Sequence, residues 1–393
     1  MRTKIILKSG KDESLRRFHP WVFSGAIKKI QGPVSDGDLV DVYDNHDEYL
    51  GSGHYGTGSI AVRVISTDPA DDVRLIMKRR IQSAYDCREK LGITKAAGRD
   101  AYRLVFAEGD GLPGLVIDWY KGTAVLQAHS AGMYRSRDEI VAALRDIYGE
   151  SLKAVYDKSA ETLSGAAKGS VTNAYLLGVK QDALINEQDS LFRVNWEDGQ
   201  KTGFFLDQYD NRRMLQSYAH GRKVLNAFCY TGAFSVAALR GGASLVHSVD
   251  SSARAIDLCR ENLLLNGYSA DEHQCFTTET MKFLEKQETL YDLMVLDPPA
   301  FAKHLDARHH AVQGYKRLNA EAIRKVAPGG LIFTFSCSQV VDRRLFNATV
   351  MSAAIVAGRR VRIIHQLSQP ADHPVNAFHP EGEYLKGLVL FVE

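Results

Sequence analysis

The sequence predicts a multi-domain chain: an all-β N-terminal segment (1–70), a central α+β segment (71–185) and a C-terminal α/β domain on a parallel sheet (186–393). Three observations predict it. Short apolar runs separated by Gly and Pro turns fill the first seventy residues. Asp68-Pro69-Ala70-Asp71-Asp72 then breaks the pattern with a proline and helix-capping acids. From Lys223 onward, apolar strand runs alternate with helical runs, which puts helices on both faces of a parallel sheet.

Composition bounds the function. At 393 residues the chain can bury two or three cores. No apolar run approaches the length of a membrane span, and Met1–Lys8 lacks the apolar region of a signal peptide, so a cytoplasmic protein with no membrane partner is expected. Five scattered cysteines without a Cys-x-x-Cys pair suit reduced thiols, not disulfides or zinc. Charge is uneven: eight Lys or Arg and two acids lie before Ile30, then six acids and no Lys or Arg between Asp36 and Glu48. A basic end suits either a phosphate-binding patch or an ordinary solvated surface.

In the first segment, Ile5–Leu7, Leu39–Val42 and Ala61–Ile65 read as strands, with turns at Gly32-Pro33, Asp36-Gly37 and Gly51–Gly58. Arg17-Phe18-His19-Pro20-Trp21-Val22-Phe23-Ser24-Gly25 resembles the start of PUA domains, small RNA-binding barrels. Trp21 and Phe23 could stack on a base or fill the core. A helix is expected over 73–91, with Lys78, Arg79 and Arg80 as a basic cluster, and the apolar residues near Val73–Met77 could make a homodimer contact. Strands at 103–107, 115–118, 124–128 and 154–156 with a helix over 134–147 make the central segment. Ser164–Ser170 reads as a loop.

The C-terminal domain is organised around Lys223–Asp250. A strand (Val224–Phe228) meets a turn at Thr231-Gly232, then an apolar helix, a Gly241-Gly242 stop and a second strand ending in Asp250. In doubly wound sheets such a unit holds a nucleoside cofactor, with the acid on the ribose hydroxyls. Only Gly232 fills a fingerprint glycine position, which disfavours a pyrophosphate and suits S-adenosylmethionine. Asp297-Pro298-Pro299 and Ser336-Cys337-Ser338 end two later strands, so four polar signals fall at one crevice. Two prolines hold the Asp297 turn stiff. A crevice thiolate at Cys337 suits attack on carbon 6 of a pyrimidine, which makes carbon 5 nucleophilic enough to take a methyl group.

On these motifs, with Glu108-Gly109-Asp110-Gly111-Leu112-Pro113-Gly114 and Lys201-Thr202-Gly203-Phe204-Phe205-Leu206-Asp207-Gln208, the chain resembles class I S-adenosylmethionine-dependent methyltransferases. More narrowly, it resembles the bacterial 23S large-subunit ribosomal RNA cytosine-5 methyltransferases of the methyltransferase I family. The resemblance implies an N-terminal PUA-like barrel, a central α+β domain and a C-terminal Rossmann-like domain, acting on large-subunit ribosomal RNA. It implies that Phe228, Tyr230, Thr231 and Gly232 line the methionine part of S-adenosylmethionine and that Asp250 binds its ribose. Glu279 stands where the family often has an Asp near the adenine, and Arg212 could meet the cofactor carboxylate. Asp297 would hold the cytosine and Cys337 would be the nucleophile. The base that removes the carbon 5 proton is open: Lys316, His373 and Lys386, in late loops, or a water. Two other readings compete: N-methylation of a ribosomal purine with Cys337 structural, and a noncatalytic RNA-binding assembly factor.

Overall fold

The N-terminal strands are β1 (Lys4–Leu7), β2 (Trp21–Phe23), β3 (Ile27–Gln31), β4 (Leu39–Tyr43), β5 (Tyr49–Tyr55) and β6 (Ile60–Ser66), in the order β2-β6-β5-β4-β1-β3. Their inward residues, Ile5, Leu7, Val22, Val40, Val42 and Val62, form a separate small core. The computed structural model describes residues 2–163, 171–302 and 304–393, and the loop expected at Ser164–Ser170 lies outside them. The glycine-rich stretch expected as a turn is instead largely strand β5, with Gly51 and Gly53 inside it. The reason is close approach: a Cβ on Gly53 would lie 2.2 Å from the Arg63 carbonyl oxygen on β6.

The two charge blocks of the N-terminal segment partly neutralise each other. Arg2 pairs with Asp41, Lys4 with Asp47, and Arg16 with Asp44 and Glu48. On helix α2 (Val73–Lys90), Lys78 pairs with Asp146 and Arg79 with Asp71. Of the apolar residues near Val73–Met77 expected as a homodimer contact, Ile76 and Met77 are fully buried in the central core and Leu75 is exposed. That core packs under a sheet of β7 (Ala101–Phe106), β8 (Leu115–Tyr120), β9 (Thr123–Ala128), β10 (Ala154–Asp157) and β11 (Ala174–Leu177), in reverse chain order. The helix expected over 134–147 is α4 (Arg137–Tyr148), preceded by a short turn of helix capped by Ser130.

A hairpin of β12 (Leu184–Glu187) and β13 (Ser190–Arg193) precedes the last sheet. That sheet comprises β14 (Lys223–Ala227), β15 (Leu245–Asp250), β16 (His273–Thr277), β17 (Tyr291–Leu296), β18 (Val326–Ser336), β19 (Val361–Leu367) and β20 (Lys386–Val392). Their order is β16-β15-β14-β17-β18-β20-β19, parallel except that β20 runs antiparallel to both its neighbours. Chain order reverses between β14 and β17, the switch point where such sheets open a crevice at their carboxyl ends. Helices α5 (Tyr209–Tyr218), α6 (Ala233–Arg240), α7 (Ala253–Leu265), α8 (Thr280–Lys286), α9 (Arg308–Lys325) and α10 (Arg343–Ala357) connect or flank the strands. No helix among the described residues is long and apolar enough to cross a membrane.

By contacts, the chain forms two compact units: Met1–Ile185 with Val194–Leu206 and Ala371–Gly382, and Asn186–Arg193 with Asp207–Pro370 and Glu383–Glu393. The expected third segment, 186–393, thus contributes residues to both. In the first unit, the late stretch is fastened to the central sheet by Asp372, whose carboxylate takes the Arg99 guanidinium at 2.6 Å and the Arg103 N–H at 3.1 Å.

Candidate active site

The crevice begins where β14 ends. Phe228 and Tyr230 hold φ of 60° and 46°, and Gly232 holds 80°. Two bulky residues in the left-handed region within three positions is a strained backbone that its surroundings must hold. Asp250, at the end of β15, does part of this: one oxygen accepts the Tyr230 N–H at 3.0 Å and the other the Ser252 N–H at 2.9 Å. Buried Asn262 on α7 donates to the Thr231 carbonyl at 2.9 Å, and its own oxygen accepts the Arg193 N–H at 2.8 Å. Gly232 is required on two counts: its positive φ, and Cys259 Sγ, 2.4 Å from where a Cβ would sit.

These features fit an adenosyl cofactor. The carboxylate of Asp250 keeps acceptor capacity beyond its two backbone donors, as a ribose diol requires. Thr278 N–H bonds the Asp250 carbonyl at 2.9 Å, tying the end of β16 to the end of β15. Glu279, next in the chain, is exposed and pairs with Lys282 at 3.1 Å. Arg212 is buried and meets Glu187 in a bidentate pair, both bonds 2.6 Å. That geometry turns its guanidinium toward a protein carboxylate, a partner the sequence reading did not foresee.

Cys229, Cys259 and Cys275 cluster behind the turn, with the last two sulfurs 3.8 Å apart. Hydrogen bonding to Cys229, with burial, pushes the Cys259 thiol far up, and Cys259 and burial do the same to Cys275. These two stay protonated and unreactive.

The other half of the crevice lies at the adjacent ends of β17 and β18, paired in parallel up to Leu296 and Thr334. Asp297 and Cys337 follow those strands, and both are half-buried. Gln208 donates to Asp297 at 3.0 Å and is itself held by Asn211 at 2.6 Å. Asp207 takes the Tyr384 hydroxyl at 2.6 Å. Ser338 donates to the Ala302 carbonyl at 2.6 Å, anchoring the Cys337 turn. From α9, Tyr315 brings a buried phenol under the same turn, where burial, with Cys337 and Asp297 nearby, raises it to about 12.

Of the base candidates, only His373 stands in a late loop as expected. Lys316 is on α9 and Lys386 opens β20, while His373 belongs to the first unit, its Nδ1 2.9 Å from Asp372. Gln208 sat inside a recognised motif without a role. Asn262 and Tyr315 gave no local signal, because each acts across elements far apart in the chain.

In the first unit, Trp21 is tied through its indole N–H to Glu108 at 3.0 Å, while Phe18 and Phe23 remain exposed. His19, His379 and Glu381 each bring a donor atom within 4.8 Å of the others. His19 Nδ1 accepts the Trp21 N–H at 3.2 Å.

Residues 170–376 match the family described as S-adenosylmethionine-dependent methyltransferase, and residues 5–67 match a PUA-like domain. Ribosomal RNA large subunit methyltransferase I of Aeromonas hydrophila is 40% identical, over 99% of this chain and 99% of its own. The chain belongs to the ribosomal RNA large subunit methyltransferase I family. A methyltransferase I of Escherichia coli O157:H7 is 38% identical over the same shares. Among solved structures, a SAM-dependent methyltransferase from Streptococcus mutans covers 99% of both chains with a TM-score of 0.83 and 25% identity. A methyltransferase complexed with SAH matches with a TM-score of 0.84 at 25% identity over the same coverage. The methyltransferase I family thus uses S-adenosylmethionine.

Proposed function

We propose that this methyltransferase I family member methylates carbon 5 of a cytosine in 23S large-subunit ribosomal RNA. The observation that carries the reading is the placement of Cys337 and Asp297 at the carboxyl ends of two adjacent parallel strands, beside the cofactor cradle. The names of the relatives supply the RNA class, and the PUA-like segment supplies a module suited to holding it.

In this reading S-adenosylmethionine, when bound, supplies an electrophilic methyl group. Phe228, Tyr230, Thr231 and Gly232 line its methionine portion, Asp250 takes the ribose hydroxyls and Glu279 lies toward the adenine. Arg212, held in a bidentate pair by Glu187, braces this floor. Asp297, oriented by Gln208, holds the cytosine at N3 and its amino group. The Cys337 thiolate adds to carbon 6, forming the S–C6 bond and placing electron density on carbon 5. Carbon 5 takes the methyl group. Loss of the carbon 5 proton to a base then returns an electron pair to sulfur, and the S–C6 bond breaks.

The test uses ribosomal RNA lacking its native methylations, labelled S-adenosylmethionine and mass spectrometry of the nucleosides. Wild type is expected to make 5-methylcytidine, and Cys337→Ala none. A methylated purine, or an undiminished rate in Cys337→Ala, would give the reaction to an exocyclic amine or ring nitrogen instead. RNA binding with no methyl transfer, on naked RNA and on precursor particles alike, would leave an assembly factor.

A further inference from the structure

Lys386 opens β20 directly opposite Ser336, the last residue of β18, and Cys337 is the next residue. Its side chain is 3% exposed. Nζ donates to the Ser338 carbonyl and to the Tyr384 carbonyl, each at 2.7 Å. An ammonium has three N–H donors, and two neutral carbonyls satisfy hydrogen bonds without neutralising the charge. Among the described residues, the charged and titratable groups that face this place are few. Glu383 is engaged by Arg343 at 2.6 Å, and Asp342 caps α10 through the Leu345 N–H at 2.7 Å. Tyr315 from α9 and Asp297 beyond it complete the set with Cys337. Burial draws Lys386 down to about 8, while Cys337 and Glu383 act in the opposite direction. The cation is thus held against the Cys337 turn in a place that penalises it unless an anion is near.

We propose that Lys386 is the positioning cation that keeps Cys337 ionised as a thiolate, a role that rests on the cytosine-5 reading above. The ammonium serves twice. Before attack it favours loss of the Sγ proton to solvent. At release it stabilises the electron pair that returns to sulfur when the S–C6 bond breaks. It keeps its own protons throughout, so it is not the base for carbon 5.

The test is the pH dependence of Cys337 alkylation by iodoacetamide in the full chain, followed at the Cys337 peptide by mass spectrometry. Wild type is expected to react with a midpoint below about 8.5, the ordinary thiol value. In Lys386→Met the midpoint should rise by about one unit, roughly tenfold less thiolate at neutral pH, and Lys386→Arg should hold it low. Turnover of Lys386→Met should fall in parallel and recover toward alkaline pH, which loss of packing alone would not produce. An unmoved midpoint in folded Lys386→Met overturns the proposal. So does a wild-type midpoint at or above the ordinary value, whether or not the variant folds. A moved midpoint in a protein that makes no 5-methylcytidine would keep the thiolate pair and discard the cytosine-5 reaction. An unmoved midpoint in an active enzyme would do the reverse.

Discussion

Phe228 and Tyr230 sit at positive φ inside an otherwise ordinary strand-to-helix turn, and Gly232 completes the curve. Such strain persists only where several partners hold it, here Asp250 and Asn262. Gly232→Ala should therefore fail twice, from a disfavoured backbone and from collision with Cys259. We expect SAH affinity to fall at least tenfold by titration calorimetry, and stability to fall by roughly 2 kcal/mol. Wild-type affinity in that variant would remove the turn from the cofactor site. At this scale the sequence showed residue types and spacing but not partners. Asp250 was legible as the acid that ends β15, but its hold on the Tyr230 N–H was not. The partner of Arg212 was not legible, because buried Glu187 lies 25 residues earlier in the chain.

Elements were legible where periodicity was clean. Regular alternation after Lys223 predicted the parallel sheet, and burial on both faces makes such strands continuous apolar runs. It was not legible in β5, where glycines mimic a turn. Those glycines instead let β6 approach, so Gly53→Ala should lose the β5–β6 pairing and cost about 3 kcal/mol or more in a urea titration. Gly25→Ala, which meets nothing within 4 Å, is the control and should stay within about 0.5 kcal/mol of wild type. Equal stability of the two variants would show that β5 accommodates a side chain. Antiparallel β20 is the other element whose place matters, since it carries Lys386 to the end of β18.

Across the whole molecule, stability is expected to depend on acid through a residue of the first unit. His54 is buried with its Nδ1 unpartnered, and burial, with Arg63 and Arg135 adding, lowers it to about 4. Below its ordinary value near 6.5, the unfolded chain binds a proton that the folded chain refuses. Stability is therefore complete above pH 6.5 and lost as pH falls toward 4, by roughly 3 kcal/mol from this group. Urea titrations at pH 7, 5.5 and 4.5 check it, with His54→Gln expected to flatten the slope. A slope unchanged in the variant would assign the loss to other groups. Long-range pairs such as Arg99–Asp372 belong to this scale too, since they place a late stretch of chain in the first unit.

By itself the sequence determined the kind of protein: the parallel sheet, the cofactor-sized turn, and the residue types at four strand ends. Those depend on local periodicity and on the chemistry of single side chains, both written in chain order. Only the tertiary structure decided which groups meet. Gln208 reaches Asp297, Asn262 holds Thr231, Glu187 claims Arg212, and Lys386 arrives beside Cys337. Each of these contacts joins separate elements, so its geometry follows from sheet order and packing, not from local sequence spacing.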